Sequence, residues 1–199
     1  MNLALRKPMT LAEFLAWEER QELRYEFDGV GPVAMTGGTF AHAAIQRNLA
    51  IALGSRLRGK PCQFVGSDLK FQVAEAHIRY PDGMVLCSPI DRAATVVLEP
   101  VVVFEVLSPS TTRSDRLVKA REYQATPSVE RYVMLEQDSV GATVYARSRD
   151  SWTHEILIAD SVLALPEIGI ELPLAELYEG LVFEQAEPEL DPGADRQPD

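Results

Sequence analysis

Val101-Val102-Val103-Phe104-Glu105-Val106-Leu107 is apolar on both faces of a strand except for one acid. Alternate side chains of a strand point to opposite sides, so a run of this kind suits a central strand covered on both sides. Glu105 is the anomaly in it. Acids are almost never fully buried unless they are paired or hold a metal. A second acid, Asp82, ends Ile78-Arg79-Tyr80-Pro81-Asp82. If the two strands are neighbours, Asp82 and Glu105 converge on one divalent cation.

The flanking sequence supplies helices and further strands. Thr10-Leu11-Ala12-Glu13 is a capping box, and Leu11, Phe14 and Leu15 give an apolar stripe for a helix to about Leu23. Tyr25-Glu26-Phe27 is a short strand, Asp28-Gly29 a hairpin turn, and the return strand lies near Val33. Gly37-Gly38-Thr39 opens a second helix with the stripe His42, Ile45, Leu49, Leu53 and Leu57, stopped by Gly59 and Pro61. Strands are expected at 62–65 and 69–73, and one strand broken at Gly83 over 78–87. Residues 88–99 read as a loop. Pro109 ends the central strand, and Ser114 caps a helix to about Gln124. A strand at 131–135 follows, then antiparallel strands at 143–147, 152–158, 162–165 and 170–172, and a last helical turn at 174–178. The sum is one α/β (α+β) domain over 1–183, with a mixed sheet, helices on its faces and additional antiparallel strands. Residues 184–199 are acidic and proline-rich, which predicts a disordered tail.

With 199 residues, 46% of them hydrophobic, the chain can bury a proper core. The net charge of −11 excludes the broad basic footprint of a tight, non-specific DNA binder. It does not exclude an enzyme acting on DNA, since a local patch and a bound metal offset a negative field. Cys62 and Cys87 imply no disulfide framework and lack zinc-like spacing. Residues 1–10 lack the apolar core of a signal peptide, and no apolar run reaches membrane-span length. These features fit a soluble protein of a reducing cytoplasm.

A carboxylate pair suits Mg²⁺ or Mn²⁺, hard cations that activate water and neutralise a phosphodiester in its transition state. Each candidate also has a plainer reading. Asp82 could be a turn residue before Gly83, and Glu105 could pair with an arginine such as Arg79. Lys119 follows the Glu105 strand, on a helix face shared with Asp115 and Tyr123, and could stabilise developing negative charge. Its alternative is a surface ion pair with Asp115. Lys70 could point from a short strand into the same cleft, or be an exposed edge lysine. Glu26 could be a third acid, or face outward by simple alternation. His42 could join the site, or be a hydrogen-bonded core histidine. His77 and His154 receive no role.

Tyr25-Glu26-Phe27-Asp28-Gly29, His42 on a helix, Tyr80-Pro81-Asp82, and Phe104-Glu105-Val106-Leu107-Ser108-Pro109-Ser110-Thr111 with Asp115, Lys119 and Tyr123 together resemble the Uma2 family. This family has the restriction-endonuclease-like fold of the PD-(D/E)XK superfamily. The resemblance spans residues 10–183 and implies a four-stranded mixed core sheet flanked by helices. It implies Mg²⁺-dependent cleavage of nucleic acid, with Asp82 and Glu105 as metal ligands, and a homodimer. The first expectation drawn from it and from the two strand acids is an endonuclease acting on DNA with Mg²⁺ or Mn²⁺. The superfamily pattern Glu-x-Lys would place a lysine at position 107, where this chain has Leu107. Either the lysine role has moved, to Lys119 first and Lys70 second, or the protein is an inactive member that binds nucleic acid or protein. Glu26 and His42 match further family positions.

Overall fold

The computed structural model describes residues 8–35, 37–73, 76–108, 113–149 and 151–183, with the side chains of 113–115 outside that description. Helix α1 (Leu11–Glu18) opens with the expected capping box: the Thr10 hydroxyl accepts from the Glu13 N–H, and the Glu13 carboxylate accepts from the Thr10 N–H. Strands β1 (Tyr25–Phe27) and β2 (Pro32–Ala34) form a hairpin. Its turn contains Gly29 at φ +84°, where Asp28 accepts the N–H groups of Val30 and Gly31 at 2.9 Å each. Helix α2 (Phe40–Leu57) follows, with Thr39 as its N-cap. Then come β3 (Gln63–Gly66), β4 (Lys70–Val73), β5 (His77–Arg79), β6 (Gly83–Leu86), β7 (Val96–Val97) and β8 (Pro100–Val106). Helix α3 (Arg113–Ala125) leads to β9 (Arg131–Leu135), β10 (Gly141–Ser148), β11 (Ser151–Ile158), β12 (Val162–Leu165) and β13 (Ile170–Pro173). Short 3₁₀ turns occupy Pro166–Ile168 and Leu174–Tyr178.

The main sheet has the order β11-β10-β9-β8-β6-β3. Neighbours in it are antiparallel except β8 and β9, which are parallel. A parallel pair cannot be closed by a tight turn, so the chain crosses over through α3. The expected mixed core is thus β3-β6-β8-β9, extended by β10 and β11. Period-2 alternation then sorts the central strand. Val102, Phe104 and Val106 pack with Ile45, Leu49 and Leu53 of α2. Val103 and Leu107 pack with Tyr123 of α3, Tyr132 and Phe71. Glu105 has the parity of Val103 and Leu107, so it points toward α3.

A second sheet has the order β2-β1-β5-β4-β7. Here the structure departs from the sequence expectation. Residues 78–87 are not one strand broken at Gly83: β5 belongs to this small sheet and β6 to the main one. The chain changes sheets at Tyr80-Pro81-Asp82, where Pro81 has no N–H to give a ladder. Asp82 therefore sits on the seam between the sheets. The expected loop at 88–99 contains β7, which pairs in parallel with β4. A two-residue strand is too short to show a period. Helix α1 ends at Glu18, not Leu23, and Ser114 lies inside α3, which begins at Arg113. The tail at 184–199 and the Pro109 to Thr111 part of the family segment lie outside the described residues.

Cys62 and Cys87 form a disulfide, where no disulfide framework was expected. Antiparallel pairing of β3 with β6, Gln63 opposite Leu86, brings them face to face one step further along. Their spacing of 25 in the sequence carries no hint of that register. Among the described residues, no helix is long and apolar enough to cross a membrane.

Gly83 is not the turn glycine that Asp-Gly suggests, for its φ is not positive. It opens β6 because a Cβ there would stand 2.7 Å from the Phe64 ring and 3.1 Å from Leu49 Cδ2. Gly83→Ala is expected to cost about 1–3 kcal/mol, the usual range for overpacking. Urea unfolding measures this, and an unchanged midpoint would show that Phe64 yields freely.

Candidate active site

A cleft of about 760 Å³ is lined by the β1–β2 hairpin, the start of α2, the sheet seam and α3. Asp82, Glu105, Lys119, Glu26 and His42 all line it. Lys70 does not line it.

Asp82 is held from three sides. Its Oδ2 accepts the Val106 N–H at 2.6 Å and lies 3.3 Å from His42 Nε2. Its Oδ1 accepts from the Gln46 amide. This follows from the pairing of β6 with β8, Gly83 opposite Phe104, which brings Asp82 level with Glu105 and Val106. His42 and Gln46 are four apart on α2, so both reach the same carboxylate. The Asp82 hydrogen bond holds the His42 imidazole above its ordinary pKa, against the opposing effect of burial.

Glu105 is only 8% exposed. Its Oε1 accepts the Tyr123 hydroxyl at 2.7 Å and lies 3.4 Å from Lys119 Nζ. The crossover through α3 lays Lys119 and Tyr123, again four apart, over the acid. Burial pushes Glu105 up to a pKa of about 7, Lys119 opposes the rise, and the charges of Asp82 and Glu26 add to it.

Lys119 Nζ also lies 3.1 Å from Glu26 Oε1. Glu26 is not turned outward by alternation. It is buried, accepts Arg79 Nη1 at 3.2 Å and lies near the Tyr80 N–H at 3.4 Å. Arg79, considered above as a partner for Glu105, instead joins Glu26 to Glu122, which it grips through Nε and Nη2 at 2.6 Å each. His77 Nδ1 lies 2.7 Å from the same Glu122.

Lys70 is neither an exposed edge lysine nor a cleft residue. It is buried, 3.0 Å from Glu18 Oε2, and its ammonium lies 5.8 Å above the Tyr80 ring. The Tyr80 hydroxyl donates to the other oxygen of Glu18 at 2.7 Å. Leu107 is packed in the α3-side core, so position 107 offers no cation. The Asp115 side chain lies outside the described residues.

Gln46, Tyr123, Arg79 and Glu122 hold the candidate residues in place, and none was singled out for that role by sequence. Spacing had set Tyr123 on the helix face of Lys119, and the same four-residue step from His42 is the signal that would have found Gln46. Nothing local pointed to Arg79 or Glu122, whose partners come from other elements.

A divalent cation fits the donor set. Two carboxylates face one cleft, and crowding with a third acid disfavours ionised Glu105 there unless more positive charge arrives. Among the described residues, no cluster of three or more His, Cys, Asp or Glu forms a ready-made cage. Mg²⁺ does not require one, since it keeps several waters and is held through one or two carboxylates plus substrate phosphates.

The raised pKa of Glu105 has a consequence for stability. In the unfolded chain this acid ionises near 4.5, in the folded chain near 7. Between these values the folded state holds the extra proton, so this group's contribution to stability falls as pH rises from about 4.5 to about 7, then levels off. Glu105→Gln keeps an acceptor for Tyr123 and removes the titration. It is expected to flatten this part of the stability–pH curve, and to leave the variant at least as stable as the parent at pH 8. Thermal unfolding between pH 5 and 8 measures it, and a variant curve as steep as the parent's would contradict the assignment.

The Uma2 family model, described as "Putative restriction endonuclease", matches residues 11–175. Two relatives from Synechocystis sp. (strain ATCC 27184 / PCC 6803 / Kazusa) carry the names "Uncharacterized protein slr1290" and "Uncharacterized protein sll1609". The first is 35% identical over 174 residues, covering 86% of this chain and 92% of the relative. The second is 28% identical over 141 residues, covering 69% and 80%. The fold is shared with a crystal structure from Anabaena variabilis described as a "putative nuclease belonging to DUF820". The TM-score is 0.72 at 18% identity, over 86% of this chain and 98% of that one. A family match across most of the domain and a shared restriction-endonuclease-like fold agree with the architecture above: the chain belongs to the Uma2 family.

Proposed function

We propose that this protein is a metal-dependent endonuclease that hydrolyses phosphodiester bonds of DNA, using Mg²⁺ or Mn²⁺. The carrying observation is one cleft lined by Asp82, Glu105 and Lys119, with the Lys119 ammonium 3.4 Å from Glu105. Asp82 and Glu105 are the proposed metal ligands. When bound there, a divalent cation supplies Lewis acidity toward water and phosphate oxygen. The Val106 N–H, His42 and Gln46 fix the Asp82 carboxylate, and Tyr123 fixes that of Glu105. Lys119 takes the role of the lysine missing at position 107. Its charge offsets the negative charge that builds on the phosphate as water adds to phosphorus and the P–O bond breaks. Glu26 acts by holding Lys119. Lys70, tied to Glu18 outside the cleft, is assigned structure and not catalysis.

Nuclease assays on circular and linear DNA, with Mg²⁺ or Mn²⁺ against a chelator, test this reading. Cleavage that the chelator abolishes is expected. A second reading, an inactive member that binds nucleic acid or protein, draws on buried Leu107 and the net charge of −11. It expects no cleavage with any cation and no calorimetric binding of Mn²⁺. We propose a cytoplasmic homodimer; the Cys62–Cys87 disulfide, uncommon in a reducing compartment, is the observation that speaks against the cytoplasm. Edge strand β11, with Ile156 and Ile158 exposed, offers an apolar surface for pairing. Sedimentation of a single monomeric species would remove the dimer.

A further inference from the structure

We propose that Arg79 is a positioning residue that decides where Lys119 stands, acting through Glu26 from the side away from Glu105. The inference rests on the nuclease reading of the cleft and extends it to a residue at the sheet seam. Lys119 lies between two carboxylates, 3.4 Å from Glu105 Oε1 and 3.1 Å from Glu26 Oε1. Which of them holds the ammonium more tightly depends on how much of each negative charge is already met. Arg79 meets part of the charge of Glu26, at 3.2 Å from its Oε2. The groups on either side of the half-buried Lys119 are buried: Arg79 is 5% exposed, and Glu26 and Glu105 are 8% each. Charges there are poorly screened, so the balance is sensitive.

Arg79 is itself fixed. Its fork grips both oxygens of Glu122, which in turn is met by His77. Such a bidentate clamp has one geometry, and a lysine could not serve both Glu122 and Glu26 in the same way. The chain of contacts thus runs His77, Glu122, Arg79, Glu26, Lys119, Glu105. It ties a strand of the small sheet, β5, to an acid of the main sheet, β8, through α3.

Without Arg79, Glu26 becomes a buried carboxylate short of positive charge, and Lys119 is the cation within reach. The ammonium is then drawn onto Glu26 and away from Glu105. Loss of the Arg79 charge is harmful only because Glu26 stays charged. Neutralising Glu26 in the same molecule should therefore undo part of the damage, a response that a merely structural arginine would not give.

The test compares the parent, Arg79→Met, and the double variant Glu26→Gln/Arg79→Met, by crystal structure and by single-turnover DNA cleavage with Mn²⁺. Arg79→Met is expected to lose the contact between Lys119 and Glu105 while keeping that between Tyr123 and Glu105. Its cleavage is expected to slow roughly 10- to 100-fold, the range typical of residues behind a site's contacting groups. The double variant is expected to regain at least several-fold of that loss. If Lys119 stays beside Glu105 in Arg79→Met, or if the double variant is no faster than the single one, the proposal is overturned. If the parent itself cuts nothing, the nuclease reading fails, and the crystal structures alone then decide the placement of Lys119. Should Arg79→Met not fold, the uncharged Arg79→Gln takes its place, alone and with Glu26→Gln, with the same pair of outcomes.

Discussion

Asp82→Ala and Glu105→Ala are each expected to lower the cleavage rate on the order of 10³-fold or more and to remove Mn²⁺ binding. The magnitude follows from the task assigned to the pair. Outer partners of a metal typically matter 10- to 100-fold, roughly, and a lost ligand should matter more. The two substitutions should differ in their effect on the fold. Glu105 is ionised only against the resistance of burial, Asp82 and Glu26, so losing its charge relieves repulsion. Asp82 satisfies the Val106 N–H, His42 and Gln46, so its removal strands donors and should cost about 1–3 kcal/mol. Cleavage assays, calorimetry with Mn²⁺ and urea unfolding on the same preparations separate these effects. Equal cleavage by parent and both variants would sink the nuclease assignment.

Lys119→Met should slow cleavage about 10²–10³-fold, the cost typical of losing one preorganised group that stabilises developing charge. Mn²⁺ binding should survive, because a cation beside Glu105 is removed and no ligand is lost. Lys70→Met should do the reverse. Glu18 would lose the ammonium at 3.0 Å and remain buried, so a stability loss of about 3–5 kcal/mol is expected with cleavage kept in the folded fraction. The pair of variants therefore identifies which lysine replaces the one absent at Leu107. Full activity in Lys119→Met with loss in Lys70→Met would transfer the role to Lys70.

The difference between these lysines shows how far the sequence could be read. Both stand on short, well-marked elements at plausible distances from Glu105. What separates them is the company each keeps. Lys70 meets Glu18, delivered by α1, which lies some fifty positions earlier in the chain. Lys119 meets Glu26, from a hairpin still further away in the sequence. Glu105 itself was conspicuous because a charge in an apolar run is costly wherever the run is placed. Its partners, Tyr123 and Lys119, were visible only as a shared helix face. Gly83 was misleading for the opposite reason: Asp-Gly has a local turn meaning, and here the glycine answers to a Phe64 ring from a neighbouring strand.

The sequence by itself determined the features that depend on near neighbours. These are the Thr10 capping box, the apolar stripe of α2, the doubly covered β8 and the misplaced acid at its end. Capping, helical stripes and strand alternation act over a few residues, so a local pattern suffices for them. Only the tertiary structure decided that 78–87 divides between two sheets, that Cys62 meets Cys87, and that Arg79 serves Glu26 and Glu122 instead of Glu105. Those outcomes depend on which strands pair, in what register, and which buried charge is nearest once they have. Pairing and burial are properties of the packed chain, and no short stretch of it carries them.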